Sequence, residues 1–300
     1  MTEASEKFEL VAAQHGRGCL YSEPELRKSV IESDVTITVS QEELSFLVQL
    51  FGVDTIPGLG ENPFAFLSDE SRELCMGIVQ RSLLARAMLR ERTTGIELNS
   101  FVASIVGICV RPGWVVTVAT GDDDHSTLTV YSVTPYATVR HTLQPPFLHH
   151  LTLLPVFPDL PSQIKSMLEP LPQNSIVPSL LLSNTDLAAL FRSPVSHNDD
   201  DGPDALWEES WRAQFRRDIE KPVRQVVLDV SDLRGEVPGS ERVHWFVGST
   251  QAWTLANHQD STGCNQAQLA ATTHEQLERT LSRMLGNIYD CYQAGSKTQS

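Results

Sequence analysis

The side chains of this sequence best suited to hold a cation or move a proton sit in two aspartate-rich stretches and one histidine pair. In "SHNDDDGPDALWEES" (196–210), His197 can be taken as the first residue of a twelve-residue EF-hand loop. Asp199, Asp201, Gly202 and Glu208 then occupy the third, fifth, sixth and twelfth positions of that calcium site. The chemistry needs a carboxylate at the first position, and an imidazole there is a poor ligand for a hard cation. Asp204 also falls where an apolar residue normally packs against a partner loop. Gly202, Pro203 and Asp204 make a good helix start, with acids that complement the helix dipole. The stretch reads as a solvated linker entering a helix.

The second aspartate run, "GDDDH" (121–125), lies between two alternating segments. Adjacent carboxylates on a tight turn point in different directions, so this reads as a hairpin tip. His149 and His150 are neighbours on a β-like stretch and should face opposite sides of it, which prevents them from sharing a metal. Flanked by Leu148 and Leu151, one of the two is expected to be partly buried. There is no G-x-S-x-G elbow and no phosphate-binding G-x-x-x-x-G-K-[ST] loop, and the carboxylates single out no pair. No catalytic, cofactor-binding or metal-binding residue is therefore assigned, and no cofactor is expected. The five cysteines (Cys19, Cys75, Cys109, Cys264, Cys291) are scattered, as in a reducing compartment.

The helices and strands that carry these stretches can be read from local pattern. "VTITVS" alternates like a strand, and Ser40 with Glu43 forms a capping box for a helix through "LSFLVQLFGV". Ser68 caps a second helix carrying Leu74, Ile78, Leu84 and Met88 through "RELCMGIVQRSLLARAMLRE", and a third is expected over 97–108. Arg111-Pro112-Gly113 stops that helix, and "WVVTVAT", "STLTVYSV" and "YATVRHTL", the last continuing toward "FLHHLTLLP", read as an antiparallel meander. The pattern returns after a Pro-rich connection: helices near 183–192 and at "PDALWEESWRAQFRRDIE", then "VRQVVLDVS", "RVHWFVGS" and "QAWTLANHQ". A last helix, capped by Thr272 and Glu275, carries the stripe Leu277, Leu281, Met284, Leu285 and Ile288. The divisions are a 1–33 extension, a first half at 34–154, a connection at 155–180, a second half at 181–290 and a 291–300 tail. The fold class is α+β, an antiparallel sheet with flanking helices in two halves related by a quasi-two-fold.

A formal net charge of -15 opposes attraction to phosphate backbones and anionic lipid, and no Lys/Arg-rich block appears. Neither nucleic acid nor membrane insertion is expected. Arg81, Arg86, Arg90 and Arg92 read as the wet face of a helix rather than as part of a winged-helix DNA reader. The N-terminus has early acids and no apolar h-region, and "FVASIVGICVRPGWVVTVA" is broken by Arg111, Pro112 and Gly113. A cytoplasmic protein is expected. Trp245, Phe246 and Trp253 cluster in the last β-rich region, where strand alternation sends Trp245 and Phe246 to opposite faces. At least one of Trp245 and Trp253 is expected to be exposed, and the three are candidate partner-binding residues.

Several segments together resemble the EspG family, the cytosolic specificity chaperones of actinobacterial type VII secretion. They are "VTITVSQEELSFLVQLFGV", "LSDESRELCMGIVQRSLLARAMLRE", "VRPGWVVTV" and the near-terminal "QAWTLANHQ…LERTLSRML", spanning roughly residues 34–288. The resemblance implies a quasi-two-fold α/β architecture with a central antiparallel sheet, and a partner that is a helical PE–PPE pair bound at its tip. On this reading the chain is a non-enzymatic chaperone or adaptor for a helical secretion substrate. Two alternatives stay open: a hydrolase-like enzyme whose site is assembled from distant residues, and a winged-helix-like regulator.

Overall fold

A computed structural model describes residues 34–93, 95–121, 126–144, 147–154, 156–171, 180–183, 214–215, 217–219, 221–235, 239–249, 251–259 and 265–297. The segment 196–210, the 122–125 run, the 184–192 part of the expected helix and the 1–33 extension lie outside them. The described strands build a large antiparallel sheet with flanking helices, beside a separate two-stranded ribbon. The chain divides into two compact units, one from residues 1–115, 129–158 and 295–300 and the other from 116–128 and 159–294.

In the first unit, β1 (Val35–Ser40) turns directly into α1 (Gln41–Gln49). The turn is a reciprocal cap: the Glu43 amide donates to Ser40 Oγ and the Ser40 amide donates to Glu43. Next come α2 (Asp69–Ala85), β2 (Leu89–Arg92), β3 (Gly95–Leu98) and α3 (Ser100–Val110). The first meander is β4 (Trp114–Gly121), β5 (Ser126–Val133), β6 (Thr138–Gln144) and β7 (Leu148–Leu154), with residues 116–121 and 126–128 counted in the second unit. It has one strand more than predicted, because the segment expected to continue toward "FLHHLTLLP" is two strands, β6 and β7, paired with each other. The unit's strand order runs β1-β7-β6-β5. One cluster of buried residues unites Ile37 and Val39 with α1, Val79 and Leu83 of α2, α3, and Leu151 and Leu153 of β7.

Two expectations fail between α2 and α3. The helical spacing running on to Glu91 breaks because Ala87 takes a left-handed φ of 56°, and the Met88 amide closes onto the Leu83 carbonyl. The helix expected from residue 97 instead begins at Ser100, because Asn99 accepts the Phe101 amide and Gly95–Leu98 pairs with β2. Gly95, at a φ of 132°, supplies backbone geometry that other residues rarely adopt.

In the second unit, α4 (Leu160–Leu168) forms inside the Pro-rich connection, with Asp159 as its cap and Pro161 in its first turn. It is followed by β8 (Leu180–Ser183), β9 (Arg224–Asp232), β10 (Gly239–Val247), β11 (Ala252–Gln259), β12 (Asn265–Ala271) and α5 (His274–Lys297). The order is β9-β10-β11-β12-β8, so β12 and β8 extend the second meander beyond its predicted three strands. Residues 214–215 and 217–219 are helical, within the predicted "PDALWEESWRAQFRRDIE" helix. The cap of α5 lies one residue later than its spacing indicates: Thr273 and Gln276 bond reciprocally, while Thr272 is buried and bonds Thr254 Oγ1 at 2.7 Å. The predicted stripe Leu277, Leu281, Met284, Leu285 and Ile288 is buried throughout.

Trp245 and Trp253 correct the exposure expectation. They are 1% and 0% exposed, and Phe246 is buried as well. Alternation does separate them: Trp253 and Phe246 are directly opposed across β10–β11, and Trp245 is opposed to Val226 on β9. The physical reason for the failure is that the sheet is covered on both faces here. Phe246 and Trp253 pack with Phe215 and Leu269, while Val226, Leu228 and Val243 share the Trp245 face, with α4 against β9.

Candidate binding surface

α2 presents apolar side chains on two sides. At about 100° per residue, Val79 and Leu83 fall on one side and Leu74 and Ile78 on the opposite one. The first pair is buried; Leu74 and Ile78 are 64% and 52% exposed. Phe66, at the end of the loop that leads into the helix, is 90% exposed. Leu74 and Ile78 recur at helical spacing with Leu84 and Met88, but the helical angle already separates them from Val79. A cleft of about 470 Å³ lies beside this loop, lined by Gln49, Asp54, Asn62, Phe64, Ala65 and Arg72 among others. Exposed apolar groups next to a concavity with polar walls are the ordinary makings of a protein-docking surface.

The helix is held by one carboxylate. Glu43 is buried and accepts from the Ser40 amide at 3.0 Å, from Ser82 Oγ at 2.7 Å and from Arg86 Nη1 at 2.7 Å. Arg86 also donates to the Thr38 carbonyl, so α1, α2 and β1 meet at a single cluster. Burial pushes the Glu43 carboxyl upward, but the hydrogen bonds from Ser82, the Ser40 backbone and Arg86 outweigh it and hold the group below its ordinary value. Ser68 accepts the Ser71 amide at the helix start, and Asp69 and Glu70 follow in the first turn, as the sequence predicts.

A second exposed apolar feature is the turn between β6 and β7, where Leu143, Phe147 and Leu148 are exposed. Phe147 has a φ of 77°, uncommon for a bulky residue.

The other sequence candidates disperse. Arg81 and Arg86 belong to α2 and its end, whereas Arg90 and Arg92 are on β2. Arg86 is paired with Glu43 and Arg92 with Glu97 at 2.7 Å. His149 is buried and His150 partly so, on opposite sides of β7 as expected. Unforeseen was His141, whose Nε2 lies 2.8 Å from Nδ1 of His149. Only the strand register brings them together, so no local spacing rule would have found the pair. Among the described residues no three His, Cys, Asp or Glu side chains are grouped to hold a metal ion, and no helix is long and apolar enough to cross a membrane.

No family model matches the sequence, and no curated protein matches it. Among solved structures, the chain is similar to the Mycobacterium tuberculosis type VII secretion system chaperone EspG5, solved in complex with a PE25–PPE41 dimer. The likeness covers 84% of this chain and 96% of that one, with a TM-score of 0.53 and 12% sequence identity. At that identity the likeness is one of fold: a large antiparallel sheet with flanking helices.

Proposed function

We propose that this protein is a non-enzymatic chaperone or adaptor of a type VII-like secretion pathway, which binds a helical protein pair of PE–PPE type in the cytosol. The observation that carries the reading is the fold, similar over most of the chain to a chaperone solved with such a pair. The exposed α2 face supplies the surface. Phe66, Leu74 and Ile78 offer apolar contacts, while Glu61, Asp69, Glu70 and Glu73 near them in sequence favour a partner with basic residues around its apolar end. An apolar helical tip buried here would be kept from self-association until it is handed on.

The test is co-expression of the full chain with PE–PPE pairs from the same genome, followed by size-exclusion chromatography of the purified material. A stoichiometric complex with at least one pair, dissociated by Leu74→Glu combined with Ile78→Glu, is the expected result. No complex with any pair would overturn the function. A complex indifferent to the double substitution would overturn the surface alone.

A further inference from the structure

Four ring nitrogens in the first unit are ordered by one carbonyl. His141 on β6 and His149 on β7 are diagonal neighbours: His141 is opposed to Leu151, two residues beyond His149, so both rings lie on one face. Both are buried. His141 Nδ1 lies 3.2 Å from the Pro57 carbonyl oxygen, and its Nε2 lies 2.8 Å from His149 Nδ1. A carbonyl oxygen only accepts, so Nδ1 of His141 carries a proton. In the neutral ring Nε2 is then a bare lone pair, and it accepts the Nδ1–H of His149. Neutral His149 in turn has its lone pair on Nε2, a buried atom without a hydrogen-bond partner among the described residues.

The two protons this pair can take up are therefore unlike. The first adds to the free lone pair of His149 Nε2 and leaves every existing bond in place, since His149 still donates from Nδ1. The second has to add to His141 Nε2, the very lone pair that accepts from His149. Two N–H groups then face each other, and the His141–His149 bond is lost. We propose that Pro57, His141 and His149 form an acid-sensitive latch between β6 and β7: it tolerates one proton, at His149 Nε2, and the second parts the two rings, while the Nδ1–H of His141 keeps its bond to the Pro57 carbonyl.

The groups around the latch fit this order. Glu42 of α1 favours a charge on His149, whereas His150, its neighbour on β7, disfavours it. His141 faces His149 and the uncharged Pro57 carbonyl. Burial, with the nearby His149 adding to it, lowers His141 to about 4; burial also lowers His149, against the pull of Glu42. The loop is closed tightly on the ring. Gly58 has a φ of 82°, and a β-carbon there would sit 3.0 Å from His141 Nδ1. Ile56, Leu59 and Phe64 of the same loop are buried in the core and, with the Pro57 bond to His141, hold the loop in place when the rings part.

Long-range proton–nitrogen NMR of the full chain, with its histidines labelled, tests this directly. At neutral pH both rings should carry the proton on Nδ1. On acidification His149 should titrate first, at Nε2. The Nδ1–H of His141, held by the Pro57 carbonyl, should keep its exchange protection through both steps, while the Nδ1–H of His149 loses its acceptor only when His141 titrates. His149→Gln, whose amide can still donate to His141 but has no basic nitrogen, should abolish the first step and leave the Nδ1–H of His141 protected at neutral pH. An Nε2–H tautomer of His141, titration of His141 before His149, or loss of the His149 Nδ1–H bond at the first step would each overturn the latch. If His149→Gln does not fold, the tautomers and titration order of the unaltered chain decide the matter alone.

Discussion

The indole N–H of Trp253 donates to Asp218 Oδ2 at 2.9 Å, and both side chains are buried. Gln214 Nε2 approaches both oxygens of the same carboxylate at 3.0 Å, and Phe215 meets the indole edge-on with centroids 5.1 Å apart. Asp218→Ala should cost about 2 kcal/mol in urea unfolding, because it leaves a buried indole N–H without this acceptor. Asp218→Asn, which keeps an acceptor oxygen, should cost less. Gly248→Ala should also destabilise, since its β-carbon would lie 2.1 Å from Asp218 atoms. Equal stability of Asp218→Ala and the unaltered chain would show that the bond contributes nothing.

Glu43 should be the most sensitive carboxylate of the first unit. Glu43→Ala removes the acceptor for Ser40, Ser82 and Arg86, and a loss of about 2–3 kcal/mol is expected at pH 7. The folded-state pKa lies below the ordinary 4.5, so this contribution is present above that value and is lost as pH falls through the folded pKa. Chemical denaturation at successive pH values should find the gap between variant and unaltered chain closing only in that acid window.

His244 supplies a second pH dependence. Its ring lies against Phe246, tilted by 45° with centroids 3.7 Å apart, and burial lowers its pKa from 6.5 to about 4. The unfolded chain therefore binds a proton that the folded chain refuses. Stability is complete above 6.5, falls as pH drops from 6.5 toward 4, and falls no further on this group's account below that. His244→Gln should reduce the slope of unfolding free energy against pH in this window by up to about 1.4 kcal/mol per pH unit. An unchanged slope would mean that His244 titrates alike in both states.

Leu74 and Ile78 should be dispensable for folding. Replacing either with Glu should change the unfolding free energy by less than about 0.5 kcal/mol, because both are largely in solvent. The same changes should weaken a complex with a helical partner by about 2 kcal/mol each if the α2 face is the docking surface, measured by calorimetry. A destabilised fold would instead mark them as packing residues.

The features legible in the residues alone are local and periodic. The Ser40–Glu43 cap, the Ser68 helix start, the alternation of β4 to β7 and the stripe of α5 rest on interactions within a few residues or on one repeating period. Those elements were enough to read an α+β fold with antiparallel strands. The tertiary structure decided which faces are covered. Alternation put Trp245 and Phe246 on opposite sides of a strand, but only the packing of Phe215 on one face and of Val226 and its neighbours on the other decided that neither side meets water. Leu74 and Ile78 went the other way, apolar and unburied, because nothing in a helix's own period says whether a neighbour lies against it. His141 and His149 meet through the register of two strands, and the direction of their protons is set by a carbonyl 84 positions distant in the chain from His141. Such a bond leaves no trace in local spacing, since its partners are chosen by the closed fold.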